Sequence, residues 1–223
     1  MQTGAGPVFN FLVSPGTTTT YSLATGSQDA NGCPLTGSGN VTVTFNSTPA
    51  TPTINAGGPT TFCEGGSVTL TSSSASGNQW YRNSSPISGA TNQTYSATLT
   101  GNYTVIVTTS GCASASSAAT SVTVTPTPAT PTITAGGALT FCEGGNITLT
   151  SSSVSGNQWY LNGSPIGGAT NQTYSVTATG NYTVVVTANG CASQASAGLN
   201  VTVNPTPATP TISTNGPTTF CSG

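Results

Sequence analysis

Charged side chains are almost missing from this sequence. Of its 223 residues only Asp29, Glu64, Arg82 and Glu143 carry charge, and neither lysine nor histidine occurs. That 2% share compares with roughly 25% in an ordinary soluble domain, so hydroxyls and amides must solvate the surface. One arginine cannot build the clustered basic surface that neutralises phosphates, which excludes nucleic acid as a partner. General acid–base chemistry needs a histidine or a matched pair of carboxylates, and a nucleophile needs a base beside it. Neither arrangement is available, so no enzymatic site and no cofactor is expected. A run of about 18 apolar residues is also missing, so no segment inserts into a membrane as a helix. Residues 1 to 20 lack the basic start and apolar stretch of a signal peptide; if the protein is exported, its signal has been removed or lies outside this sequence.

Thr, Ser, Asn and Gly dominate what is present, with 15 prolines. Such a composition often stays disordered because it buries too little apolar surface. Here Val, Ile, Tyr, Phe and Trp alternate with polar residues in β-type runs, as in Ser67 to Leu70, Asn102 to Val107 and Ser121 to Val124. That alternation predicts half-buried strands.

Cysteines 63, 142 and 221 are spaced 79 residues apart, as are 33, 112 and 191. The same step carries Thr61-Phe62-Cys63-Glu64-Gly65-Gly66 onto Thr140 to Gly145, Trp80-Tyr81 onto Trp159-Tyr160, and Gly101 to Val105 onto Gly180 to Val184. A fixed period of this size signals an array of similar units. Prolines 49 and 52, 126 to 131, and 205 to 210 punctuate it with Thr-Pro segments that act as short, stiff spacers. The expected domains are 49–127 and 128–206. Residues 1–48 hold the closing strands of a diverged earlier unit, and 207–223 the opening strand of a further, incomplete one. The chain thus reads as a window on a longer array.

Seven strands are expected in a unit: Thr53 to Asn55, Thr60 to Cys63, Val68 to Ser73, Gln79 to Arg82, Thr94 to Leu99, Tyr103 to Thr108 and Ala118 to Thr125. Inward positions are Ile54, Phe62, Val68, Leu70, Trp80, Tyr95, Ala97, Leu99, Tyr103, Val105, Val107, Val122 and Val124. The fold class is all-β, with tandem β-sandwiches. The order Ser67 to Leu70, Trp80 to Asn83, Gly101 to Val105 resembles an immunoglobulin-like domain, and the Phe-Cys-Glu-Gly-Gly opening and Gly111-Cys112 turn are similar to Ig-like repeats in large Bacteroidota surface proteins and adhesins. The resemblance implies that Trp80 and Trp159 are the buried strand-C tryptophans and Tyr103 and Tyr182 the strand-F corner tyrosines. It also places Ser72 and Val105 where the intersheet disulfide would stand, so that bridge is missing.

Six cysteines with no histidine and few acids point to disulfides in an oxidising compartment. Zinc is the rival reading, but ligand pairs at short spacing are missing. Two pairings stand. The simple one is within a unit, Cys63 to Cys112 and Cys142 to Cys191. In an up-and-down seven-strand sandwich, however, Cys63 sits at the first hairpin and Cys112 at the last, at opposite ends of strands about 30 Å long. Since a disulfide needs α-carbons within about 7 Å, a bond between adjacent units, Cys63 to Cys191, is favoured. Cys142 and Cys221 then face later units, and Cys33 and Cys112 earlier ones.

Glu64 and Glu143 are the same position of successive units, which leaves them a domain apart and suited to turn solvation; one glutamate per unit is too few for a calcium site. Tyr81 and Tyr160, outward beside the tryptophans, could stack on sugars or simply pack across strands. The expected role is a stalk or filament segment of a secreted or cell-surface bacterial protein, with neighbouring Ig-like domains as partners. A carbohydrate-binding adhesin module that contacts glycans through Tyr81 and Tyr160 is the alternative, because a sandwich fold alone does not fix function.

Overall fold

The computed structural model describes residues 12–22, 28, 31–33, 39–219 and 221–222, and among them every regular element is a strand. β1 (Thr19–Ser22) and β2 (Asn40–Val43) form an antiparallel pair. The first full period then gives β3 (Ile54–Ala56), β4 (Thr61–Cys63), β5 (Val68–Ser72), β6 (Asn78–Arg82), β7 (Ser85–Pro86), β8 (Thr94–Ala97), β9 (Gly101–Thr109), β10 (Cys112–Ala113) and β11 (Thr120–Thr125). The second repeats it as β12 (Ile133–Ala135), β13 (Thr140–Cys142), β14 (Ile147–Ser151), β15 (Asn157–Leu161), β16 (Ser164–Pro165), β17 (Thr173–Val176), β18 (Gly180–Ala188), β19 (Cys191–Ala192) and β20 (Leu199–Asn204). Contacts divide the chain into two compact units, residues 1–61 with 67–123 and residues 62–66 with 124–223. The short segment around Cys63 therefore clusters with the second unit although it belongs to the first period.

In the second unit, one sheet has the order β12-β14-β17 and the facing sheet β13-β20-β18-β15-β16, with β19 hairpinned onto β18. Alternation makes this a sandwich. In β14, Ile147, Leu149 and Ser151 point inward and the residues between them outward, meeting Trp159, Val176, Tyr182, Val184 and Val201 from both sheets in one core. The first unit builds the same core from Val68, Leu70, Trp80, Ala97, Tyr103, Val105 and Val122. Full burial of each large apolar side chain contributes about 1.5–3 kcal/mol. A half-buried tyrosine completes each core: Tyr95 lies 5.9 Å from Trp80 and 5.7 Å from Tyr103, ring centre to ring centre, and Tyr174 repeats the arrangement.

The topology differs from an up-and-down sandwich. The opening strand makes no hairpin with its predecessor: β12 pairs with β14 while β13 crosses to the other sheet and runs parallel to β20. The chain can switch sheets here because Gly136-Gly137 precedes the strand, as Gly57-Gly58-Pro59 does in the first period, and Pro belongs at a sheet edge. Two short strands beyond the expected seven appear in each period, the β7 and β16 pairings and the β10 and β19 pairings.

Leu99 is not a core residue. The strand ends at Ala97, and Leu99 is 56% exposed because its backbone carbonyl, turned inward, accepts the Tyr103 hydroxyl at 2.8 Å. Residues 207–219, 221 and 222 form no strand: β3 and β4 bond to β5 and β11, later in their period, and 207–223 has no such followers in this sequence.

Candidate functional site

Each closing cysteine stands just after a two-residue turn. β18 and β19 pair with Ala188 opposite Cys191, leaving Asn189 (φ 50°) and Gly190 (φ 80°) as the loop. Left-handed Asn-Gly is the preferred sequence for this hairpin because its twist matches the flanking strands. The first period uses Ser110 (φ 50°) and Gly111 (φ 81°) to present Cys112 in the same way. The opening cysteines end β4 and β13, each followed by a turn in which the glycine two residues before the next strand bonds back to the cysteine carbonyl, Gly66 to Cys63 and Gly145 to Cys142, both at 3.0 Å.

Cys63 and Cys191 form a disulfide with α-carbons 5.6 Å apart and a sequence separation of 128. Cys191 is buried, 2% exposed. The Cys63 sulfur lies 3.8 Å from the Gly190 carbonyl oxygen and the Cys191 sulfur 3.9 Å from that of Thr125. The same Thr125 carbonyl accepts the Glu64 N–H at 2.8 Å. Three pieces of chain thus meet: the end of an opening strand, the end of a closing strand and the tip of a hairpin from the following period.

Pairing within a period is excluded by strand length. Cys142 sits beside Asn204 at one end of its sheet, and Cys191 beside Ala188 at the other. Between them runs the nine-residue β18, about 26 Å at roughly 3.3 Å per residue, far more than a disulfide spans. Cys112, Cys142 and Cys221 carry free thiols. Cys33 is exposed at a turn where Gly32 has φ 78°.

Buried serines, not recognised from the sequence, hold the hairpins in place. The Val186 N–H donates to Ser193 Oγ and the Val184 N–H to Ser196 Oγ, both at 3.0 Å, while Ser193 and Ser196 return their own N–H groups to the Val186 and Val184 carbonyls. Ser114 and Ser117 do the same for Val107 and Val105. Hydroxyls here replace the strand that would otherwise cover this part of β9 and β18. A serine two and five residues after both Cys112 and Cys191 was the available signal.

Trp80 and Trp159 are fully buried, with indole N–H groups bonded to the Asn92 and Asn171 carbonyls at 2.9 and 3.0 Å. Tyr103 and Tyr182 donate to the carbonyls four residues earlier, Leu99 and Ala178, at 2.8 Å. Burial raises both phenols above their ordinary pKa, the neighbouring Tyr95 and Tyr174 add to it, and at Tyr103 the Arg82 side chain opposes it. Ser72 and Val105 are buried in facing sheets, with no bridge between them.

Tyr81 and Tyr160 are half-buried instead of fully outward. They stand opposite Pro86 and Thr104, and Pro165 and Thr183, respectively. An open groove near Tyr95 is lined by Arg82, Ser85, Pro86, Ile87 and Leu99, and Tyr81 is not part of it. The Arg82 stem lies over Gly101, where the second period places Leu161 over Gly180, so packing accounts for its position. Glu64 and Glu143 are exposed, and Asp29 lies outside the described residues. Among the described residues no group of three potential metal ligands occurs, and no helix is long and apolar enough to cross a membrane.

Residues 128–205 match the family model described as Ig-like domain, CHU_C associated, and this part of the chain has the Ig-like sandwich fold. No curated protein matches the chain. Among solved structures, it aligns with the human OSCAR ligand-binding domain at 17% identity, covering 70% of this chain and 100% of that one with a TM-score of 0.29. It also aligns with a chain of mouse coronavirus receptor-binding domain complexed with its murine receptor, at 16% identity, 68% and 99% coverage and a TM-score of 0.40.

Proposed function

With an Ig-like domain at 128–205 and its motifs repeated one period earlier, we propose that this chain is a structural segment, a stalk or filament of covalently stapled sandwiches that spaces or projects another part of an extracellular or cell-surface protein. One observation carries the reading: the Cys63–Cys191 bond joins the opening strand of one period to the closing hairpin of the next. A bond that only stabilised a domain would lie within a period. This one ties successive repeats together, as a load-carrying array requires, and it calls for the oxidising conditions found outside the cytoplasm. The partners are then neighbouring Ig-like domains. The near-absence of charge fits a surface whose hydration changes little with salt or pH.

Small-angle scattering with and without reductant tests it. Reduction is expected to leave the sandwiches folded, by far-UV circular dichroism, while the chain gains interdomain freedom and changes its maximum dimension. An unchanged maximum dimension defeats the stapling role. Binding on a glycan array that disappears in the Tyr81→Ala/Tyr160→Ala variant would replace this reading with that of a carbohydrate-binding module.

A further inference from the structure

The Cys63–Cys191 joint contains three pieces, and the structure holds a second copy of two of them. Shifting Thr125 and Cys191 back by one period gives Asn46 and Cys112. There the Cys112 thiol donates to the Asn46 carbonyl at 3.3 Å, as Cys191 stands against the Thr125 carbonyl, and the Asn46 side-chain amide donates to the Ser110 carbonyl in the turn at 2.9 Å. The hairpin tip and the end of a closing strand are therefore already assembled. What Cys63 and Glu64 supply at the complete joint has no counterpart at this one among the described residues.

Two further features mark the vacancy as an opening for a strand. β2 belongs to a sheet of two strands among the described residues, whereas β20, its counterpart two periods on, carries a parallel opening strand on the edge away from β18. Val43 and Phe45, at the end of β2 and just after it, are half-buried and 48% exposed, while their counterparts one period on, Val122 and Val124 in β11, are buried and half-buried.

We propose that Cys112, with Asn46 and the outer edge of β2, forms an acceptor site for an opening strand of the Thr-Phe-Cys-Glu-Gly-Gly type carried by another unit of the same kind. The incoming strand adds to the edge by backbone hydrogen bonds, as in β-augmentation. Its glutamate N–H takes the Asn46 carbonyl, as Glu64 takes that of Thr125, and its cysteine bonds to Cys112. In that step two thiols lose two protons and two electrons to a carrier disulfide, which leaves as a dithiol. The joint has polarity. Cys112 is an acceptor, and Cys142, already seated beside Asn204 with the Glu143 N–H on the Asn204 carbonyl at 2.8 Å, is a donor.

The test uses the unreduced protein and a synthetic peptide with the sequence of residues 59–66, its cysteine activated as a mixed disulfide with 2-thiopyridine. The Cys112 thiolate attacks the peptide sulfur, pyridine-2-thione leaves, and the attachment site is read by peptide mapping. Docking before reaction makes the exchange effectively intramolecular, so coupling at Cys112 is expected to be at least about tenfold faster than with a scrambled peptide, and faster than at Cys142 or Cys221. Equal rates for native and scrambled peptides, or equal coupling at Cys142, overturn the proposal. It deepens the stapled-array reading, yet the two fail separately: peptide capture is measured without reductant, and the scattering experiment depends on reduction.

Discussion

Replacing Ser193 by alanine removes one oxygen and should loosen the hairpin that carries Cys191. In the native chain Ser193 Oγ accepts the Val186 N–H at 3.0 Å and donates to the Gln194 carbonyl at 2.8 Å. Val186 is 6% exposed, so after the substitution water reaches its N–H poorly and no protein acceptor remains. An unsatisfied buried donor costs about 1–3 kcal/mol, equivalent to a roughly 5- to 150-fold larger opening equilibrium. Amide hydrogen exchange reads this residue by residue. Protection at Val186 should fall by that factor, while Val184, whose N–H is held by Ser196, should change much less. If Val186 exchanges at its native rate in Ser193→Ala, the hydroxyl is not the acceptor and the account of how these hairpins are anchored is wrong.

Gly77 has φ +73°, and a Cβ there would run into the Thr108 carbonyl oxygen, whereas Gly89 has φ +72° and open space around it. Gly77→Ala should therefore cost about 2–4 kcal/mol by urea denaturation, and Gly89→Ala about 1 kcal/mol. Cys191→Ser removes a loop closure spanning 128 residues, an entropic loss of up to about 5 kcal/mol; Cys112→Ser should leave the unfolding midpoint unchanged. Because burial raises the folded-state pKa of Tyr103 and Tyr182 above the unfolded value, the native state keeps protons that the unfolded state loses. Their contribution is complete below about pH 10 and is lost as pH rises through the folded pKa. Thermal melts should consequently fall on the alkaline side, and Tyr103→Phe/Tyr182→Phe should flatten that fall.

Much of this molecule could be read from its sequence, because alternation and periodicity are strong signals in a chain with so few other features. The inward Val68 and Leu70 of β5 follow from residue type and spacing, and the tryptophan and corner-tyrosine roles follow from the resemblance to an immunoglobulin-like domain. The path of the opening strand was less legible. Thr61 to Cys63 carries the same alternation whether it hairpins onto its predecessor or crosses to the opposite sheet, and only the long-range parallel register with the closing strand separates the two. Leu99 looked like a core residue from its hydrophobicity, but the hydrogen bond from Tyr103 requires the backbone, not the side chain, to face inward. The serine straps and the Asn46 contact were hidden for a related reason: Ser and Asn are so abundant here that no single one stands out until a specific buried donor requires it.

The sole arginine offers the most direct test of the joint. Trypsin can cut this lysine-free chain only after Arg82, which separates Cys63 from Cys112 and Cys191. Protein denatured without reductant, its free thiols blocked, and then digested should migrate as one covalent species on a non-reducing gel. It should do the same in Cys112→Ser, and part into two fragments in Cys191→Ser. The opposite pattern, with separation in Cys112→Ser and an intact species in Cys191→Ser, contradicts a bond between successive repeats.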